Sequence, residues 1–265
     1  MEKLVLSFQP KRKISQSRWT TSGCKGYSLQ VTMTHLISEH AGILYPSDLQ
    51  ELGELITSKW RAGDLPPLKP LRGLPAAIIV PHASYTHCLP QLRQAFSSTF
   101  EVQPELIAVL APLHRPCLRE DADKGRSIFC PESSLWETPG GKIELALSSM
   151  DALAEALATD FDRNDCYFQE EYAIELLLPF CLRRFPSVPL LPILADLNGE
   201  AGWLAASKVL KHVSAAHPKT LIIISSNPDS SCGNGWIHAL DQISNSLEWI
   251  PGGQSPPITA TKEWI

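Results

Sequence analysis

The chain has 265 residues, 44% hydrophobic and 19% charged, with a formal net charge of −5. That apolar share excludes a disordered chain, and the mildly acidic balance excludes a nucleic-acid binder that relies on a globally basic surface. No run approaches the roughly 18 consecutive apolar residues that cross a bilayer, and 22 prolines against 15 glycines predict short, sharply bounded elements.

Residues 1–32 carry Lys3, Lys11, Arg12, Lys13, Arg18 and Lys25 against only Glu2, with much Ser and Thr and no sustained periodicity. They read as a flexible basic tail, with Met33 as an alternative start. An organelle transit peptide shares the same basic, acid-poor composition. From Asp48 to Arg61 the positions of Leu49, Leu52, Leu55 and Ile56 predict a helix capped by Ser47 or Asp48. A proline-rich connection (65–75) leads into AAIIVP (76–81), an all-apolar run of the kind buried on both faces of a sheet. A helix over 89–100, a second buried strand over 106–112 and a helix over 144–158 follow. Residues 170–185 predict another helix, bent by Pro179. Then come a strand over 188–195 containing Pro192, a helix over 201–216, a strand over 220–226 and a helix over 236–249. Residues 251–265 read as a Pro/Gly-rich tail. Apolar strands alternating with helices specify an α/β fold, with a mostly parallel sheet covered on both faces. One domain over 33–250 is the economical organisation.

Seven cysteines, an odd number without a CxxC pair, argue against a disulfide framework. Together with the lack of an apolar secretory core they place the expected site of action in a reducing compartment, the cytoplasm. Most of these thiols read as packing residues.

In open α/β sheets ligands lie beyond the carboxyl ends of the strands. Strand 76–81 ends in Pro81-His82, strand 106–112 in Leu113-His114, and strand 220–226 in a polar run that contains Asp229 and Cys232. Neighbouring parallel strands are about 4.8 Å apart. His82 and His114 could therefore share a metal ion if their two strands are adjacent. Asp229 or Cys232 would be a third ligand. A single histidine after a strand more often bonds a loop carbonyl, and only the pairing makes a site. His87 reads as a surface residue, as do His35, His40, His212, His217 and His238. Glu170, Glu171 and Glu175 invite comparison with a carboxylate cluster, and Glu170 reads as a solvated flank. Glu175, set between Ile174 and Leu176, is either exposed or committed to a partner.

The motifs Ala41-Gly42-Ile43-Leu44-Tyr45-Pro46, Val80-Pro81-His82-Ala83-Ser84-Tyr85, Leu110-Ala111-Pro112-Leu113-His114, Trp136-Glu137-Thr138-Pro139-Gly140-Gly141, Glu171-Tyr172-Ala173-Ile174-Glu175 and Ser225-Ser226-Asn227 occur in that order. Together, over about residues 40–245, they resemble the Memo family, called AmmeMemoRadiSam system protein B in prokaryotes. That family is related in fold to the LigB-type subunit of class III extradiol dioxygenases, which use non-haem iron. The resemblance implies a single three-layer α/β/α domain with a cleft at the strand ends. It matches His82 and His114 to two metal-site histidines, and it implies association with radical-SAM system proteins. Several positions depart from the pattern. Ser84 stands where Gly is usual, Tyr172 where His is usual, Asn227 where Asp is usual and Ser230 where a further His is usual. Asn cannot carry the charge of the Asp it replaces. The C-terminal segment, which supplies a Cys ligand in some relatives, looks short and altered.

Two readings of function follow. In one, His82 and His114 hold iron or copper, Asp229 or Cys232 completes the ligand set, and Glu175 or Tyr85 is the nearest proton-transfer group, as in a dioxygenase-like oxidoreductase. In the other, the chain is a non-catalytic scaffold that binds a small molecule or protein partner in the same cleft. A serine hydrolase is disfavoured because no G-x-S-x-G turn is present, and dinucleotide binding because no G-x-G-x-x-G opens a helix.

Overall fold

The computed structural model describes residues 35–57, 65, 68, 70–114, 126–169, 171–227, 232–243 and 258–261. In chain order these form β1 (Leu36–Ile37), α1 (Leu49–Thr57), β2 (Ala76–Val80), α2 (Tyr85–Ser97), β3 (Leu106–Pro112), β4 (Ile128–Cys130), β5 (Leu135–Thr138), β6 (Gly141–Glu144) and α3 (Leu147–Leu157). There follow β7 (Phe161–Arg163), α4 (Tyr172–Glu175), α5 (Leu178–Arg184), β8 (Leu190–Ala195), α6 (Gly199–Ala216), β9 (Thr220–Ser225), α7 (Asn234–Ile243) and β10 (Ile258–Thr261).

Seven strands make the main sheet, in the order β10-β2-β9-β3-β8-β4-β7. The middle four, β2, β9, β3 and β8, are mutually parallel, and β10 and β4 pair antiparallel to their neighbours β2 and β8. Every residue of those four strands is buried. This is why they read as unbroken apolar runs rather than as alternating ones. At about 1.5–3 kcal/mol per fully buried Val, Leu or Ile, they contribute a large share of the hydrophobic stabilisation. One helical group, α3, α6 and α7, packs together, and a second, α1, α2, α4 and α5, includes α2 against β2 and α4 against β3. The result is the three-layer α/β/α architecture, to which β1, β5 and β6 add a small separate sheet.

Pro192 does not break β8. Pro189 O and Ala195 O accept from Ile107 and Leu113, so the odd-numbered residues of β8 face β3. Pro192 faces the other side, where β4 pairs only with Leu194 and Ala195. The missing N–H falls in a gap of the ladder, the position in which a strand tolerates proline.

Three expectations are corrected. Residues 170–185 are two helices, since Pro179 lies at the start of α5 and begins a helix instead of bending one. The helix expected over 89–100 starts at Tyr85 and contains Pro90, which puts His87 in its first turn. Residues 258–261, expected as tail, pair with β2 as an edge strand. The short strands β1, β4, β5, β6 and β7 carry too few residues to show a period.

Candidate metal centre

The strands that deliver the two histidines are not adjacent, which corrects the expectation from the sequence. β9 runs between β2 and β3. The rings nonetheless meet, with centroids 5.0 Å apart and planes at 73°. They meet because β9 stops short. Its last residue, Ser225, is level with Val80 of β2, whereas His82 and His114 each lie two residues past their strands. Both imidazoles therefore lean over the small Ser225–Ser226 end of the strand between them.

Hydrogen bonds fix each ring. His82 Nδ1 is 2.8 Å from Ser225 Oγ, and that hydroxyl donates its one proton to Ala173 O at 2.8 Å. Toward His82 it can only accept, so Nδ1 carries the hydrogen and the neutral ring keeps a bare lone pair on Nε2. That Nε2 is buried and has no hydrogen-bond partner among the described residues. The His82 backbone N–H donates to Asn227 Oδ1 at 3.0 Å. Asn227, in the place where the resemblance expects an acid, thus holds the main chain of the site.

His114 donates its backbone N–H to Glu171 Oε2 (2.9 Å) and pairs through Nδ1 with Glu171 Oε1 (2.8 Å). Its Nε2 is 2.9 Å from Cys232 Sγ. Glu171 is 1% exposed, and it also accepts from Ala173 N as the cap of α4. Glu170, the glutamate read as a solvated flank, lies outside the described residues. Burial, with the charge of His114 beside it, pulls the His82 pKa down to about 3. For His114 burial also opposes the charged ring, but the hydrogen bonds and charges of Cys232 and Glu171 outweigh it and push the pKa up to about 10.

Cys232 comes from the turn that opens α7. Its carbonyl accepts from Asn227 N (2.8 Å) and Ser226 Oγ (2.9 Å), and Trp236 Nε1 of α7 donates to Ala111 O at the end of β3. The next residue, Gly233, has φ +82°, and a Cβ there would lie 2.6 Å from Ser225 O. Only glycine lets the thiol approach so closely. One ligand atom from each of His82, His114 and Cys232 lies within 4.8 Å of the others. The other proposed third ligand, Asp229, lies outside the described residues.

The two expected proton-transfer residues are both committed elsewhere. The Tyr85 hydroxyl is buried and donates to Leu176 O at 2.8 Å, which makes it a packing residue of α2. Glu175, 2% exposed, accepts from Glu39 N (2.9 Å), His40 N (2.8 Å) and Tyr45 Oη (2.9 Å), and pairs with His40 Nδ1 (2.9 Å). With two donors on each oxygen it anchors the 39–45 loop. His40 is therefore not a surface residue, and sequence reasoning missed it because it ends no strand. Tyr172 stacks on His114 (4.8 Å between centroids, planes at 14°) and lies edge-on to His82 (6.0 Å) and His40 (5.9 Å). His87 is exposed and bonded to Ser84 and Thr86, as expected of a surface histidine.

The donors fit a metal ion. A buried imidazole lone pair without a partner among the described residues, a second imidazole oriented by a buried carboxylate and a thiol form a preorganised two-nitrogen, one-sulfur set. No helix among the described residues is long and apolar enough to cross a membrane.

Comparison with known proteins agrees with this geometry. MEMO1 family proteins of Thermotoga sp. strain RQ2 and Thermotoga maritima are 26% and 27% identical over 202 residues, which cover 71% of this chain and 67% of each relative. The MEMO1 family protein of Pyrobaculum arsenaticum is 28% identical over 160 residues, 58% of this chain and 53% of the relative. The chain thus spans between half and about two thirds of these relatives. The family model for Memo-like proteins matches residues 37–229, which contain both histidines, both buried glutamates and the whole β2–β9 core, and the chain belongs to that family.

Proposed function

We propose that this chain is a metal-binding member of the family, with the ion held by His82 Nε2, His114 Nε2 and Cys232 Sγ. The orphaned, buried Nε2 of His82 carries the reading. Leaving an acceptor buried and unmade costs about 1–3 kcal/mol, and a bound cation removes that cost. Cys232 is contributed by a loop that departs from the usual motif, which makes the thiol this chain's own answer to the ligands missing at Tyr172, Asn227 and Ser230.

Two imidazoles and a thiolate favour copper or zinc. The two-histidine, one-carboxylate set of non-haem iron oxygenases is not formed among the described residues, because Glu171 and Glu175 are both committed to hydrogen bonds. The dioxygenase-like reading is therefore the weaker one. A bound ion would supply Lewis-acid polarisation or one-electron chemistry. The chain's own contribution is orientation. Glu171 and Ser225 fix the two rings through Nδ1, and Tyr172 shields the His114 face. The proton now shared between His114 Nε2 and Cys232 Sγ must leave when an ion enters.

Metal content and competition titrations with zinc and copper(I), on the wild-type chain and on His82→Ala and Cys232→Ala, test the proposal. Stoichiometric binding that falls at least about tenfold in each variant is expected. Equal, substoichiometric metal in all three would end it.

A further inference from the structure

α4 carries the same device twice. Glu171 takes both the backbone N–H and the Nδ1 of His114, and Glu175, one turn later, takes both the backbone N–H and the Nδ1 of His40. In the first pair the outer nitrogen meets Cys232. In the second, His40 Nε2 has no hydrogen-bond partner among the described residues, and the side chain is 17% exposed. If the ring served only to tie the loop to Glu175, this would be a redundant arrangement, because Glu39 N, His40 N and Tyr45 Oη already hold that carboxylate. A carboxylate behind an imidazole does two things. It fixes the tautomer, so that the outer nitrogen presents its lone pair, and it stabilises the imidazolium that forms when that lone pair takes a proton. The Tyr172 ring contacts all three imidazoles, His114 face-on and His40 and His82 edge-on, and its own hydroxyl has no partner among the described residues.

We infer that His40, positioned by Glu175, is a general base beside Tyr172, able to abstract a proton from a small molecule that carries an acidic C–H or O–H. This function is separate from the metal centre and does not require an ion. His40 takes the role that the sequence suggested for Glu175 or Tyr85, and Glu175 acts through it.

The ring opening of 5-nitrobenzisoxazole reads the activity directly, because it needs a base and nothing else. His40 Nε2 takes the ring C–H proton, that electron pair becomes part of the nitrile, and the N–O bond breaks to give a coloured cyanonitrophenolate. The full chain is assayed with a chelator present, so that failure here leaves the metal proposal standing and failure of metal binding leaves this one standing. His40→Asn keeps an N–H donor near the Nδ1 position and removes Nε2. The expected result is a saturable rate that falls at least about tenfold in His40→Asn and is unchanged in His87→Asn. Equal rates in the wild-type and His40→Asn proteins overturn the inference, as does a wild-type rate no higher than that of free imidazole at the same concentration. Should His40→Asn fail to fold, diethyl pyrocarbonate acylation of the wild-type chain decides. Loss of rate must track modification of His40 by mass spectrometry, and modification of His40 with full retention of rate overturns it.

Discussion

The two glutamate–histidine pairs of α4 are built alike and end differently. Glu171 and Glu175 are both buried and each accepts a main-chain N–H and an Nδ1 from one histidine. Glu171 holds a ring delivered by a sheet strand, and so its partner's outer nitrogen is aimed at a fixed place beside Cys232. Glu175 holds a loop, and all four of its donors come from residues 39, 40 and 45. The difference teaches that one buried carboxylate can orient a ring toward a ligand cluster alone or can also close the chain around the site. What decides is the element the partner comes from. On this comparison Glu175 should weigh more on stability and Glu171 more on metal.

The largest effect should come from Glu175→Ala. It strands four donors, and we expect a loss of about 3–5 kcal/mol by denaturant titration, with hydrogen-exchange protection lost over the 39–45 loop. A loss under about 1 kcal/mol would break the comparison.

The imidazoles sharpen it through pH. His82 is held neutral, with its pKa down to about 3 in the folded chain against about 6.5 unfolded. Between those values the unfolded chain binds more protons, so this stabilisation is complete above about pH 6.5 and is lost as the pH falls toward 3. The amount is on the order of a few kcal/mol. His114 goes the other way. With its pKa up to about 10, it stabilises the metal-free fold below about pH 6.5, and that contribution fades as the pH rises through 10. Denaturation midpoints of metal-free protein measured from pH 4 to 7 should therefore slope less in His82→Asn than in wild type, and equal slopes would refute the assignment.

Next in size, Glu171→Gln should lower metal affinity by about 10–100-fold in competition titrations, while Glu175→Gln leaves it within about threefold. Parallel losses in the two variants would show that the pairs are not specialised. Smallest of all, Tyr172→Phe removes a hydroxyl without a partner among the described residues and should shift stability by no more than about 0.5 kcal/mol. A larger shift would mean that the phenol has a bond in solution which the fold does not show.

The four central strands were legible because both of their faces are buried, which writes them as AAIIV, LIAVLAP, LLPILA and TLIIIS. The positions of His82 and His114 at strand ends were legible for the same reason. The convergence of their rings was anticipated on a mistaken ground, since β9 lies between the parent strands and the rings meet above its end. Glu171 left a faint signal, a carboxylate one turn before another in an apolar stretch. His40 left none, because it ends no strand and its partner is 135 residues away in the chain.

The sequence by itself determined the layers, the parallel core and the two histidines, because these follow from local periodicity and from where a buried strand must stop. Tertiary structure alone decided that Cys232 completes the cluster, that Glu171 and Glu175 each take a histidine, and that Tyr172 packs against all three imidazoles. Each of those contacts joins residues far apart in the chain, and a hydrogen bond or a stacked ring leaves no period behind it.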